Sequence, residues 1–192
     1  MFRIFNMLGV ILLITAVSAP AAAAPPRQAP NNMHEFMGVI KGAVPGFAKK
    51  PRYFNASLAE KNLRFLYDEK DVRLVISLDH CKGVGKVIRK MNKSLEVPIE
   101  HICRKIHRTT YEKNITLFEE IASHIGAGNF YIHCRYGAHR AVTALTGAWI
   151  ARQRLSFEEA FSRTGGKKRA FRSKGQKQLL NQARKYAADR IE

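Results

Sequence analysis

Residues 131–142, YIHCRYGAHRAV, hold a thiol, a glycine and a guanidinium within one short stretch. Cys134 follows His133, Gly137 comes three positions later, and Arg140 three after that. A planar arginine fork binds two phosphoryl oxygens at once. A glycine between the two lets the backbone curl until several N–H groups point inward. If a helix begins at the arginine, its free N–H groups and partial positive charge add to the same field. That field favours the thiolate of Cys134, and a thiolate facing a cradled phosphate is a nucleophile aimed at phosphorus. Cys134 and Arg140 are therefore the candidate catalytic residues. Arg135, Tyr136, Gly137, Ala138 and His139 are the candidate substrate-binding ones. The competing reading is an inert buried cysteine beside an unrelated arginine.

Such a loop needs a strand before it and a helix after it. NFYIH, 129–133, is a short strand-like run, and AVTALTGAWIARQR is a helix that is apolar on most sides. Open α/β sheets place their ligand crevices at the C-terminal ends of strands, where this loop falls. Upstream, VRLVISL (72–78) and LEVPI (95–99) read as further strands. NASLAEKNLRFLYDEKD reads as a helix opened by a capping box from Ser57 to Glu60. VGKVIRKMN is a helix, and so is TTYEKNITLFEEIASHIG, which Gly126 stops. Downstream, Ser156 and Glu159 cap one helix, and Ser173 and Gln176 stand in the same relation before a last, basic one. Strands alternating with helices predict a single α/β domain with a central, mostly parallel sheet flanked by helices.

The 192 residues, 46% of them hydrophobic, suffice for one core. Residues 1–23 read as a signal peptide: Arg3, an apolar run from Met7 to Val17, then small residues with an A-x-A cleavage pattern. The run is shorter than the roughly 20 residues a permanent span requires, which disfavours an uncleaved anchor. Residues 24–32, rich in Pro and Asn, read as a linker, and 33–192 as the folded domain. The chain is expected to be exported, periplasmic or secreted. Its formal net charge of +18 implies attraction to polyanions. No specific nucleic-acid motif accompanies it, so the expected partners are a phosphorylated anionic substrate and, second, an anionic membrane surface. Cys81 and Cys103 each follow a strand on the side of the loop. They are open to three readings: a structural disulfide, a resolving role of Cys81 toward Cys134, or two small buried thiols.

His-Cys-x-x-Gly-x-x-Arg, as it stands at 133–140, resembles the signature of the cysteine-dependent protein tyrosine and dual-specificity phosphatases. YIHCRYGAHRAVTALTGAWIARQRLSFEEAF resembles the bacterial dual-specificity group, and GAHR resembles atypical members acting on inositol pyrophosphates. The likeness extends over about residues 55–165, a span read from motif order. It implies a dual-specificity-phosphatase-like fold and a phosphatase domain at 33–192, with no metal and no cofactor. It also implies a phosphocysteine on Cys134, a phosphoryl group held by Arg140 and the amides of 135–140, and a thiol positioned and acidified by His133. A sulfurtransferase also keeps a Cys in a loop ending a strand, but His133, Gly137 and Arg140 favour the phosphatase.

Two positions depart from that pattern. The family has Ser or Thr directly after the Arg; here Ala141 stands there. No Asp occurs between Asp79 and Cys134 to act as the family's general acid. Glu100, in the loop expected after VPI, is the first carboxyl candidate, Asp79 the second, and His101 and His107 lie nearby. These gaps leave a weakly active pseudophosphatase, a polyanion- or membrane-binding protein, as the alternative. From Arg163 to Arg190 ten Lys or Arg face one acidic residue, Asp189. That run is either a solvated basic surface or a collar that draws a polyanion toward the site.

Overall fold

The computed structural model describes residues 27–47 and 53–191. The leader assigned to 1–23 lies outside them. Five strands are present in this region: β1 (His34–Phe36), β2 (Val39–Ala43), β3 (Val72–Ser77), β4 (Glu100–Cys103) and β5 (Asn129–Cys134). They form one sheet in the order β1-β2-β5-β3-β4, parallel throughout except for the β1–β2 pair. The helices are α1 (Ala56–Lys70), α2 (Cys81–Met91), α3 (Tyr111–His124), α4 (Arg140–Gln153), α5 (Phe157–Arg163) and α6 (Lys174–Ile191). This is the expected α/β domain with its sheet flanked by helices.

β5 is central, and its residues divide by alternation. Phe130, Ile132 and Cys134 join the core beneath α3, α4 and α6, which also buries Trp149, Phe118 and Tyr186. Tyr131 joins the opposite core, with Leu63 and Leu66 of α1 and Val84, Val87 and Ile88 of α2. Burying both faces is what parallel strands require, and it leaves the strand ends as the place for polar chemistry.

The amino-terminal hairpin carries no strong sequence signal, because β1 has three residues and β2 five. Its turn, Met37–Gly38, has positive φ at both residues (50° and 75°), which suits the right-handed twist of a hairpin. LEVPI is not a strand; β4 begins one residue later, at Glu100. Pro98 supplies no ladder donor, and Asn92 occupies both backbone groups of Ile99, accepting from its N–H (3.0 Å) and donating to its carbonyl (2.9 Å). Helix α1 is capped by Asn55, whose Oδ1 accepts from the Leu58 N–H at 2.9 Å, rather than by Ser57. The two later caps are as expected, at Ser156–Glu159 and Ser173–Gln176.

The expected linker is tied down over its described part. Arg27 pairs with Asp68 and Glu69, Gln28 accepts from Asn62, and Asn31 donates to Phe47. Asn32 Nδ2 donates to the Tyr136 carbonyl at 2.9 Å, so the segment braces the 135–139 loop. Composition marked this stretch as irregular. The same Asn side chains that break a helix here hold the chain against the domain.

Of the three readings of Cys81 and Cys103, the disulfide is the one found. It joins the first residue of α2 to the last of β4 across 22 residues. Replacing both cysteines with alanine is expected to lower stability by about 2–4 kcal/mol, chiefly by freeing the unfolded chain. Urea unfolding of the pair variant checks this; an unchanged midpoint would make the crosslink a passenger.

Candidate active site

β5 delivers Cys134 to the C-terminal edge of the sheet, and α4 begins at Arg140 six residues on. Cys134 is the one free cysteine of the three, and 2% of it is exposed. The loop between them packs on β2. A Cβ on Gly137 would stand 2.3 Å from the Gly42 carbonyl carbon, and Gly137 also has φ +67°. Both facts require glycine there, the first for close approach and the second for backbone conformation. Its N–H donates to the Cys134 carbonyl at 3.3 Å and closes the turn, so this amide is engaged within the loop. That corrects the expectation that every amide of 135–140 faces a ligand.

A cavity of about 350 Å3 opens over Cys134. Arg135, Tyr136, His139 and Arg140 line it from the loop, Asp79 from the end of β3, and Arg108, Gln176 and Leu179 from the opposite side. Gly137 and Ala138 turn away and line a neighbouring cavity. His139 is fixed by Ala170, whose carbonyl lies 2.9 Å from its Nε2, and by an edge contact with Phe171. Tyr136, 46% exposed, stands at the rim.

Arg140 and Asp79 are bonded to each other. The Arg140 fork donates to the Leu78 carbonyl (3.1 Å) and to Asp79 Oδ2 (2.5 Å). Arg135 Nε lies 3.8 Å from the same oxygen, and the His80 N–H donates to Asp79 Oδ1 at 2.9 Å. Burial alone would raise the Asp79 carboxyl. The charge and hydrogen bond of Arg140, with those of His80, outweigh it and hold the group below the usual carboxylate range. Asp79 therefore stays ionised at neutral pH and positions Arg140. A carboxyl so held is a poor proton donor.

Glu100 does not reach the site. It pairs in register with Leu74 near the start of β3, while Ser77, at the other end, pairs with His133 beside Cys134. Glu100 is exposed at the opposite edge of the sheet, among Asp71, Arg73 and His124. Its displacement follows from the shift of β4: with the strand starting at residue 100, the residue at the active edge is Cys103.

His133 also differs from expectation. It projects to the face opposite Cys134 and hydrogen-bonds Ser77 Oγ (2.7 Å), which in turn meets His101 Nε2 (2.8 Å). Burial, then the neighbouring His101, pulls its pKa down to about 3. A neutral imidazole brings no charge to the thiol, so its part is to lock the strand end to β3 and β4.

No family model matches the sequence, and no curated protein does either. Solved structures do match. Kinase associated phosphatase, carrying a serine in place of its catalytic cysteine, superposes with a TM-score of 0.57 at 15% identity, over 86% of this chain and 98% of its own. A variant of human DUSP28 gives 0.53 at 13% identity, over 83% and 96%. The core catalytic domain of the PP-IP phosphatase SIW14 from S. cerevisiae, in complex with citrate, gives 0.51 at 13%, over 80% and 86%. The chain has the fold of the dual-specificity and tyrosine phosphatases. Within this phosphatase fold the expected Cys134, Arg135, Tyr136, His139 and Arg140 converge on one cavity. Arg108, Gln176 and Leu179, also walls of the site, escape the sequence analysis because each sits in a segment that carries no chemical motif of its own.

Proposed function

We propose that the chain is an exported, cysteine-dependent phosphatase acting on strongly anionic phosphate compounds. The observation that carries this is the cavity that Cys134 and Arg140 share, lined among the described residues also by the cations Arg108 and Arg135 and by one acid, Asp79, which Arg140 engages. The thiolate attacks phosphorus, the bond to the leaving oxygen breaks, and Arg140 holds the phosphoryl oxygens. Water then attacks the phosphocysteine and the thiolate departs. Phosphoproteins and phosphoinositides or inositol phosphates are the substrate classes in view, and the likeness to SIW14 and the basic surface support the second. The Cys81–Cys103 disulfide supports an oxidising compartment, periplasmic or extracellular. An anionic membrane surface offers the same chemistry as a second partner; no helix among the described residues is long and apolar enough to cross a membrane.

Among the described residues no carboxylic acid faces the cavity as a proton donor. Substrates whose leaving oxygen needs little protonation, phosphoanhydrides and aryl esters, are therefore favoured over alkyl esters. The test is acid quenching of the enzyme with a labelled aryl phosphate. Label retained on the wild-type chain and absent from Cys134→Ala supports the phosphocysteine. Binding without label or phosphate release would return the chain to the second reading, a polyanion-binding pseudophosphatase, which Ala141 and the missing acid favour.

The basic run divides in two. Lys168 pairs with Glu158 and Arg190 with Glu119, whereas Arg172, Lys174 and Lys177 form no ion pair among the described residues and flank Gln176 at the cavity wall. Replacing these three with glutamine is expected to raise KM for inositol hexakisphosphate several-fold more than for a small aryl phosphate. The difference should shrink as salt shortens the screening length to about 10 Å at 0.1 M. Equal effects on both substrates would make the run a solvated surface.

A further inference from the structure

Beside the catalytic cavity lies a second one, of about 310 Å3, which the mechanism does not use. The loop divides them: Gly137 and Ala138 face this side, while Arg135, Tyr136, His139 and Arg140 face the other. Its floor is Lys41 of β2, and its far wall is 165–167 with Ala170. Lys41 is in register with Ile132, two residues before Cys134 on the same face of the sheet. Only 6% of it is exposed, and its ammonium has neither an ion pair nor a hydrogen bond among the described residues. A mostly buried lysine that lines a cavity, with no carboxylate paired to it, is placed to bind an anion there. Burial lowers its pKa; the nearby Cys134 raises it and Lys167 lowers it again, so one ammonium is close to the thiol and to a second ammonium.

The rest of the lining suits the same ligand. Among the described residues no acidic one faces this cavity. Gly165 and Gly166 admit no side chain: a Cβ would stand 2.7 Å from the His34 ring in one case and 2.7 Å from Phe161 in the other. Bare backbone is thus presented at the wall, together with two lysines and His34. We propose that this cavity is a second phosphoryl subsite, holding an additional phosphate group beside the one at Cys134. The class of ligand is a phosphoryl dianion, carried either by the same polyphosphorylated substrate or by a separate free phosphate. The kinetic consequence rests on the phosphatase reading; the binding site does not.

The experiment is a calorimetric titration of the full chain carrying Cys134→Ser with inorganic phosphate. Two phosphates per chain are expected. Adding Lys41→Met should leave one, and adding Arg140→Ala in its place should leave the other. Lys167→Gln, on an exposed residue that cannot disturb folding, should weaken the second site about tenfold, the size of one lost charge-assisted contact. A single phosphate indifferent to Lys41→Met and Lys167→Gln overturns the proposal. A single phosphate lost with Lys41→Met but not with Arg140→Ala keeps the subsite and defeats the catalytic reading instead. With the active chain turning over an aryl phosphate, the ratio of the inhibition constants of inositol 1-phosphate and inositol 1,4-bisphosphate tells the sources apart. A preference for the bisphosphate that Lys167→Gln reduces assigns the subsite to the substrate's own second phosphate. An unchanged ratio, with the second phosphate still titrating, assigns it to free phosphate.

Discussion

Cys134→Ser is expected to abolish phosphate release while leaving phosphate binding at the 134–140 loop intact, and Arg140→Ala to lose both release and binding at that loop. A serine hydroxyl at the end of β5 is not ionised near neutral pH, so the attacking anion disappears. The loop, pinned by Gly137 against Gly42 and braced by Asn32, keeps its shape. The loss in kcat should be about 10⁴-fold or more, the scale seen when a covalent nucleophile is removed. Arg140→Ala removes the fork that holds the phosphoryl oxygens in both ground and transition states. Two charge-assisted hydrogen bonds contribute about 3–6 kcal/mol together, so kcat/KM should fall roughly 10²–10⁴-fold. It also strips Asp79 of its main partner, and the carboxyl should titrate closer to its ordinary value, readable by NMR. Arg140→Lys keeps the charge without the fork. If it restored full activity, bidentate binding would not be what Arg140 provides. If Cys134→Ser hydrolysed an aryl phosphate at the parent rate, the phosphocysteine would be wrong.

The strand–loop–helix at 129–153 is legible in the sequence because its pattern is local. Cys134, Gly137 and Arg140 lie within seven residues, and the strand and helix that hold them are bounded by clear apolar patterns. The central strands were legible for the same reason: VRLVIS and NFYIHC bury both faces. What the sequence hid depends on register and distance along the chain. Glu100 looked like an active-edge residue because LEVPI resembled a strand; moving the strand past Pro98 put it at the far edge. Asp79 carried no sign of its ion pair with Arg140, 61 residues away. Lys41 sits in a five-residue strand too short to announce itself, and its burial is set by α4 and the 165–167 segment rather than by its neighbours. The motif implies a chemical part for His133, yet alternation along β5 turns it to the other face. Period-two geometry decides that, and it was available in the sequence.

Under the proposed phosphocysteine mechanism, Ala141 sets the step that should limit turnover. The thiolate must leave when water attacks the phosphocysteine, and negative charge returns to sulfur as it does so. A hydroxyl donor directly after the arginine would stabilise that charge. Ala141 is fully buried as the second residue of α4 and supplies none. A hydrogen bond to a charged group contributes about 1.5–3 kcal/mol, so its absence slows the second step roughly ten- to a hundredfold. Rapid mixing with an aryl phosphate should then show a burst of phenol near one equivalent, followed by slow steady release. Ala141→Ser should speed the slow phase and shrink the burst. The next hydroxyl along the helix is Thr143, which is buried and has no hydrogen-bond partner among the described residues, so its proton is uncommitted. Thr143→Val removes that proton at nearly constant volume. If the slow phase slows in Thr143→Val and does not respond in Ala141→Ser, Thr143 has taken over the task. A trace that is linear from time zero in the wild-type chain would place the slow step before the phosphocysteine forms, where the missing carboxylic acid rather than the missing hydroxyl sets the rate.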